Sequence, residues 1–360
     1  MLHSFGSNGR GQLSLAHTSD VHTPTHCVLP PSSSSLPPNS IVAGGNHTLL
    51  LTATGALFAC GDNTHAQCIP TATAAATLLS TFRPVPPPPE SAEWKLIAAG
   101  WEFSILVSDT GVFASGHGSR GELGLGPTIH SATCQRVLGF PPTATTVERI
   151  SSGVAHTAAV LSDGCVYGWG AGRKGQLGVP VESVVGVPRM VGVGWSVEWA
   201  VCGREFTVLV ERVEESAAQR RRVCVLGADR YGMRDALRAG LEPGVRDVQA
   251  GWSAVYVLYE DGRLVGFGRN DRGQLPPLGL APVERFAAGS EHVVAVAGGR
   301  LLAWGWGEHG NCGRGREEAG GGDGGGEAGP VEVPVPGVSG AEGQIGAVGA
   351  GCATSWVWVG

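Results

Sequence analysis

Residues 151–177 read SSGVAHTAAVLSDGCVYGWGAGRKGQL, and this stretch holds both of the signatures that decide the fold. The first signature, Ser152-Gly153, is a small residue and a glycine placed just before an apolar run. The second, Trp169-Gly170, is followed five residues later by Gly175-Gln176-Leu177. Between them, Asp163-Gly164 separates two apolar runs, which favours a tight turn because glycine readily adopts positive φ. The stretch therefore predicts a β-hairpin framed by two glycine signatures.

Each signature occurs seven times along the chain. The glycines of the first signature are Gly44, Gly100, Gly153, Gly203, Gly251, Gly289 and Gly351. Those of the second are Gly6, Gly61, Gly116, Gly170, Gly227, Gly268 and Gly305. A repeat of roughly 50 residues holds four short strands and their loops, which is one propeller blade. The repeat therefore predicts an all-β fold, a seven-bladed β-propeller that occupies residues 1–360 as a single domain.

The two ends of the chain carry complementary parts of one blade. Residues 351–359 have the pattern of a first hairpin strand without its return strand, and residues 2–6 have the pattern of a return strand alone. Pairing them would satisfy backbone groups that otherwise form two open sheet edges. We therefore expect the last blade to be closed by the N- and C-terminal strands.

Four segments interrupt the repeat. Residues 30–39 are rich in Pro and Ser, and residues 70–90 are rich in Ala, Thr and Pro. Residues 211–222 are rich in charged residues, and residues 314–330 are rich in Gly and Glu. Such compositions are typical of solvated connections. We expect all four to be loop insertions.

Composition argues against several classes of function. Hydrophobic residues make up 42% of the chain, which is enough to build a core. Lys and Arg total 25 against 31 Asp and Glu, and the tight basic run Arg220–Arg222 follows Glu211 and Glu214. Because nucleic-acid binding needs a concentrated basic patch, direct binding is disfavoured. No apolar run approaches the ~20 residues of a membrane span.

Cysteine usage indicates the compartment. The nine cysteines are scattered without any C-x-x-C pair, so neither a disulfide framework nor a zinc site is indicated. This favours a reducing environment, and we expect the protein in the cytoplasm and the nucleus.

Three histidines occupy one slot of the repeat. His47, His156 and His292 each stand three residues after a first-signature glycine, where other repeats carry Phe103 and Phe206. A slot that accepts phenylalanine is a packing position, so these histidines are not expected to bind metal. No phosphate loop or nucleophile elbow occurs either. The sequence therefore predicts a protein without catalytic activity or cofactor of its own.

Tryptophan marks the expected binding surface. Trp306 stands in a slot that other repeats fill with small or polar residues, namely Ser7, Asp62, His117, Ala171, Ala228 and Arg269. A large aromatic there predicts an exposed anchor, and such anchors concentrate binding energy. We expect a partner-binding face formed by Trp306, Glu308, His309 and Asn311. Trp101 and Trp252, which directly follow a first-signature glycine, are further candidates.

The paired signatures resemble the regulator-of-chromosome-condensation repeat family, whose members form seven-bladed propellers, and the resemblance covers the whole chain. Residues 304–313 and 351–356 are similar to the last repeat of its killer-toxin-insensitivity, or alpha-tubulin-suppressor, group. That resemblance implies an adaptor that pairs with a small CSL-type zinc (iron) protein. It further implies a role in diphthamide synthesis on elongation factor two and in Elongator-dependent modification of wobble uridine in tRNA.

Two other functions remain open within this family. The founding member is a guanine-nucleotide exchange factor for a small GTPase, and such a role would require a loop that enters the nucleotide site. Some plant relatives are light sensors that use stacked tryptophans in a Gly-Trp-Arg-His-Thr pattern. The corresponding stretch here, Gly100-Trp101-Glu102-Phe103-Ser104, lacks the arginine.

Overall fold

The computed structural model describes residues 1–31, 37–69, 77–214, 219–313, 329–338 and 344–360. The first half of the chain forms fourteen strands, named in chain order. They are β1 Leu2–Gly6, β2 Val21–His26, β3 Pro38–Ala43, β4 His47–Thr52, β5 Leu57–Asp62, β6 Leu78–Val85, β7 Trp94–Ala99, β8 Phe103–Ser108, β9 Val112–His117, β10 Ser131–Arg136, β11 Val147–Ser152, β12 His156–Leu161, β13 Val166–Ala171 and β14 Val184–Met190.

The second half continues the series, with one short helix among the described residues. Its elements are β15 Val197–Cys202, β16 Phe206–Glu211, β17 Val223–Gly227, α1 Met233–Ala236, β18 Val245–Ala250, β19 Ala254–Tyr259, β20 Leu264–Gly268, β21 Val283–Ala288, β22 His292–Ala297, β23 Arg300–Gly305, β24 Val331–Glu332, β25 Ile345–Ala350 and β26 Thr354–Val359.

These strands form seven antiparallel sheets, the blades of a β-propeller. Blades one to six begin at β3, β7, β11, β15, β18 and β21, and the seventh has the order β2-β1-β26-β25. In that seventh blade Leu2 pairs with Trp358 and Gly6 pairs with Thr354. The predicted seven-bladed fold, closed by strands from both chain ends, is therefore confirmed.

Two blades depart from the expected four strands. Within the described residues, the fourth blade contains only β15-β16-β17 and the fifth only β18-β19-β20. The other five sheets have four strands each. The fold therefore keeps the inner three strands of every blade and varies the outer one.

The core lies between neighbouring blades. The second strand is fully buried in each of the first six blades, because both of its faces are covered. Trp169 and Trp304 are buried and donate their Nε1–H to the carbonyl oxygens of Glu122 (3.0 Å) and Gln274 (3.1 Å). Burying such a side chain stabilises the fold by about 1.5–3 kcal/mol or more.

The first-signature glycine makes room for the ring that follows it. A Cβ added to Gly44 would lie 2.4 Å from Cε1 of His47, and one added to Gly100 would lie 2.0 Å from Cε1 of Phe103. Because neither distance is tolerable between non-bonded atoms, a ring in this slot requires glycine three residues earlier. This explains why histidine and phenylalanine share one slot.

Parts of the four predicted insertions, residues 32–36, 70–76, 215–218 and 314–328, lie outside the described residues. Within 70–90, residues 78–85 form the outer strand β6, and residues 38–39 already belong to β3. These parts are therefore strand and not loop, because their backbone pairs with β5 and β4 even though both strands contain proline.

Candidate partner-binding face

Both signatures of every blade meet on one face of the propeller. The residue after the second-signature glycine donates its backbone N–H to a carbonyl in the turn that follows the first-signature glycine. The seven bonds are Ser7 to Ala353 (2.8 Å), Asp62 to Asn46 (2.8 Å), His117 to Glu102 (2.8 Å), Ala171 to Ala155 (2.7 Å), Ala228 to Glu205 (2.9 Å), Arg269 to Ser253 (3.0 Å) and Trp306 to Glu291 (2.9 Å). We call the face that carries these fourteen residues the signature face.

Two of the predicted tryptophans lie together at the mouth of the central channel. The seven inner strands enclose this channel, which has a volume of about 600 Å³. The ring centroids of Trp101 and Trp252 are 5.7 Å apart, and Trp101 is 40% exposed. Arg204 places its guanidinium carbon 5.5 Å from the centre of the Trp252 ring, a cation–π distance. The arginine that is missing beside the tryptophans in sequence is thus supplied by another blade.

Backbone hydrogen bonds between blades hold this aromatic pair. Trp101 donates to Val154 O (3.0 Å) and accepts from Gly45 N (3.0 Å). Trp252 donates to Ser290 O (2.7 Å) and accepts from Arg204 N (3.1 Å). The turns that carry both rings are therefore fixed to the blades on either side, so little backbone ordering would be needed on binding.

Trp306 lies on the same face, in the loop after β23. Its side chain is 45% exposed, as its slot predicts, and its backbone N–H is bound to Glu291 O. Glu308 and His309 are exposed on the same loop, and His309 Nδ1 is 3.3 Å from Asp20 Oδ2 of the seventh blade. The loop thus presents an aromatic ring beside ionisable groups.

Asn311 has a different position from its predicted companions. It is only 1% exposed, and its Nδ2 donates to Trp306 O at 2.9 Å. The equivalent Gln176 of the third blade is likewise used inside its loop, accepting from Lys174 N at 2.9 Å. Asn311 therefore shapes the Trp306 loop and cannot touch a partner directly. Contact roles for the other five residues remain a prediction.

Glu291 is a residue that the sequence did not single out. Its carboxylate accepts from Ser253 Oγ (2.8 Å) and Gln274 Nε2 (2.9 Å) and lies 3.5 Å from Arg269 Nη1. Ser253 follows Trp252, and Glu291 O holds Trp306 N, so this buried carboxylate joins the turns of two of the tryptophans. Glutamate at one position of one turn gives no repeat signal that could have revealed it.

The three buried histidines are structural. Their Nε2 atoms bind hydroxyls of the following blade: His47 to Ser104 (2.9 Å), His156 to Thr207 (3.0 Å) and His292 to Ser355 (2.9 Å). Each hydroxyl already donates its proton to a backbone carbonyl, those of Gln67, Gln176 and Asn311 respectively. It can therefore only accept, and the imidazole is neutral with its proton on Nε2.

Burial controls the titration of these rings. It lowers the pKa of His47, His156 and His292 to about 4, because the charged imidazolium would lose its hydration. Their Nδ1 atoms have no hydrogen-bond partner among the described residues. In the same part of the chain, no group of three or more His, Cys, Asp or Glu is arranged to hold a metal ion.

These observations define a β-propeller of paired-glycine repeats that presents aromatic side chains on one face. Residues 1–357 match the RCC1-like domain, and the chain belongs to that family. The family resemblance seen in the sequence is thereby confirmed. No helix in the described ranges has the length and apolar character needed to cross a membrane.

Similar proteins share the family but differ in their named roles. The RCC1 repeat-containing protein C10F6.04 of Schizosaccharomyces pombe is 31% identical over 329 residues, covering 87% of this chain and 89% of that protein. The secretion-regulating guanine nucleotide exchange factor of Mus musculus is 27% identical over 371 residues, covering 88% and 76%. The crystal structure of Prp20p from Saccharomyces cerevisiae has a TM-score of 0.78 at 21% identity, covering 99% of this chain and 91% of that one. This last likeness shows the fold alone.

Proposed function

We propose that this propeller is a non-enzymatic adaptor that binds a small CSL-type zinc (iron) protein as a heterodimer. Through that partner it supports diphthamide synthesis on elongation factor two and Elongator-dependent modification of wobble uridine in tRNA, in the cytoplasm and nucleus. The pathway rests on the resemblance of residues 304–313 and 351–356 to the killer-toxin-insensitivity group. The observation that carries the binding role is the set of tryptophans on the signature face, Trp101, Trp252 and Trp306.

The signature face has the properties of a binding surface. A standard interface buries about 800 Å² on each partner, and one aromatic side chain buries about 150–250 Å². Three tryptophans on hydrogen-bonded turns can therefore supply most of an interface centre without a large ordering penalty. In this arrangement the metal belongs to the partner, and the propeller covers part of the surface around it.

The direct test is co-elution of the full-length chain with the CSL-type zinc protein in size-exclusion chromatography. We expect a stable one-to-one species that Trp306→Ala and the double variant Trp101→Ala/Trp252→Ala each weaken at least tenfold, as is usual for aromatic hot spots. Leu138→Ala is the matched control, because Leu138 is exposed but lies beside the turn at residues 109–111, at the opposite end of its blade. Two separate peaks for the wild-type proteins would contradict the proposal.

A second function is favoured by one comparison. The similarity to a secretion-regulating guanine nucleotide exchange factor extends over 88% of this chain. Exchange activity would appear as faster release of fluorescent GDP from a small GTPase when the propeller is added in substoichiometric amounts. If GDP release is accelerated in this assay and no complex with the CSL-type protein forms in size-exclusion chromatography, the exchange-factor function replaces the adaptor proposal.

A further inference from the structure

The last strand of the fifth blade, β20, has no fourth strand beside it in the described part of the chain. The third strands of the first three blades are mostly buried, because a fourth strand covers each of them. In β20 only Leu264 is buried, and its other four residues are half-exposed. Residues 269–282 connect β20 to the next inner strand and contain no strand of their own. The outer edge of β20 therefore faces outward at the rim of the propeller.

The third blade shows which backbone groups of β20 point outward. There, Val191 N donates to Val166 O (2.8 Å) from the outer side of β13. Alternate residues of a strand point the same way, so the equivalent Leu264 and Gly266 direct their carbonyls outward in β20. Neither Leu264 O nor the backbone of Gly266 has an outer hydrogen-bond partner within the described ranges. The edge is thus a short row of unpaired donors and acceptors, which is a template for another strand.

The fourth blade also lacks an outer strand, but its edge is blocked. Arg234 of α1 donates its Nε–H to Val225 O (3.1 Å) and an Nη2–H to Gly227 O, two of the outward carbonyls of β17. Met233 and Leu237 bury the helix against the cluster between the two blades. One of the two three-stranded blades is therefore capped by its own chain, whereas no described residue caps the outer edge of the other.

We propose that the β20 edge is an interaction site that takes an extended segment of a partner protein as the missing fourth strand of the fifth blade. The site lies on the rim, away from the signature face, and does not depend on the adaptor role proposed above. Such strand addition draws affinity from main-chain hydrogen bonds and specificity from alternate side chains.

The surroundings of β20 indicate the chemistry of the segment. The charges at its two ends are already paired, Arg263 with Glu242 and Arg269 with Asp271, which favours an occupant without acidic residues. The connection after β20 packs beside Gly266, since a Cβ added there would lie 2.6 Å from Pro276 Cδ. Leu278 on the same connection is fully exposed and offers an apolar side chain close to the edge.

The outer strands of other blades agree with this chemistry. The four outer strands of six or more residues contain no Asp or Glu and read VHTPTH, LLSTFRPV, SATCQR and VVGVPRM, whereas the two-residue β24 contains Glu332. The expected occupant is therefore an extended segment of Val, Ser and Thr with at most a basic charge.

The experiment uses the full-length protein and a capped peptide with the sequence of β14, residues 184–190. We expect binding near 1 mM, with slower hydrogen exchange of the Gly266 amide by at least fivefold at saturation. In β14, Val185 and Arg189 lie opposite Gly170 and Gly168, whose backbone groups point outward from β13, whereas Val184 lies opposite Ala171, whose backbone groups point the other way. N-methylation of Val185 and Arg189 should abolish binding, whereas N-methylation of Val184 and Gly186 should not.

Several results would overturn the proposal. The first is an unchanged hydrogen-exchange rate of the Gly266 amide with the unmodified peptide, and the second is equal binding of the two N-methylated peptides. The third is a wild-type dimer whose interface protects the Gly266 amide from exchange, because the occupant would then be a second copy of this chain. A graft of residues 171–196 in place of 269–282 provides a further check, because it fills the edge within the chain. The folded graft should no longer bind the peptide, and continued binding would place the peptide elsewhere.

Discussion

Acidification from pH 7.5 to pH 5.0 should destabilise this propeller through three histidines. In the folded protein, burial lowers the pKa of His47, His156 and His292 to about 4, whereas an unfolded histidine has a pKa of about 6.5. A lowered folded-state pKa means that the unfolded chain binds more protons between these two values. The stability contributed by the neutral rings is therefore fully present above pH 6.5 and is lost as the pH falls toward 4.

The magnitude follows from the same pKa values. At pH 5.0 an unfolded imidazole is almost fully protonated and a buried one is about one-tenth protonated, which corresponds to about 2 kcal/mol per histidine. Three equivalent rings give about 6 kcal/mol, which is comparable to the whole stability of many domains. Between pH 4.5 and 6 the free energy of unfolding should fall by up to about 4 kcal/mol per pH unit.

Urea unfolding followed by tryptophan fluorescence at pH 7.5, 6.0 and 5.0 measures this loss. The control is the triple variant His47→Phe/His156→Phe/His292→Phe, because Phe103 and Phe206 occupy the same slot in two other blades. It should lose far less stability over this range, because His3 is the one remaining histidine among the described residues whose pKa burial lowers. A wild-type loss below about 1 kcal/mol, or an equal loss in the triple variant, would refute the reasoning.

Three further outcomes follow from the packing. Trp304→Ala should cost about 3–5 kcal/mol because its ring is buried. Trp306→Ala should change the Tm by no more than about 2 °C from the wild-type value. Equal losses of Tm for the two variants in thermal unfolding would place Trp306 in the core. Gly44→Ala should cost about 1–3 kcal/mol, because the added Cβ would lie 2.1 Å from Gly100 O and 2.4 Å from His47 Cε1, while Gly9→Ala, whose Cβ meets nothing within 4 Å, should be nearly neutral in urea unfolding. Glu291→Ala should cost about 1–3 kcal/mol, because Gln274 and Arg269 lose a buried acceptor. The same substitution should speed hydrogen exchange of the Trp306 amide. An unchanged exchange rate would show that the Glu291 carboxylate does not hold the Trp306 loop in place.

The architecture could be predicted because its constraints are local. A first-signature glycine such as Gly44 must admit the ring three residues later, and Gly164 in the β12–β13 turn needs a positive φ of 78°. The paired glycines recur in each repeat, although Ala254 and Thr354 stand in place of the ring in two of them, so the repeat count gives the blade count. Outer strands carry no comparable requirement, and sequences such as SATCQR resemble loops, so the three-stranded blades were not predicted.

The binding surface could be predicted only in part. The exposure of Trp306 followed from comparing one slot across the repeats, and the structure bears it out. The placement of Arg204 against Trp252 could not be predicted, because the two residues belong to neighbouring blades and meet only when those blades pack together. Asn311 shares the loop of Trp306, but its amide donates to Trp306 O inside that loop. A pattern of residues along the sequence does not reveal this hydrogen bond.

The pairing of β1 with β26 imposes an order on biosynthesis. Leu2 leaves the ribosome long before its partner Trp358, because almost the whole propeller lies between them in the chain. At about 5–20 residues per second, the amino-terminal strand waits roughly 20–70 s for its complement. Nascent chains therefore spend that interval with an exposed amino-terminal strand, a natural point of attachment for chaperones.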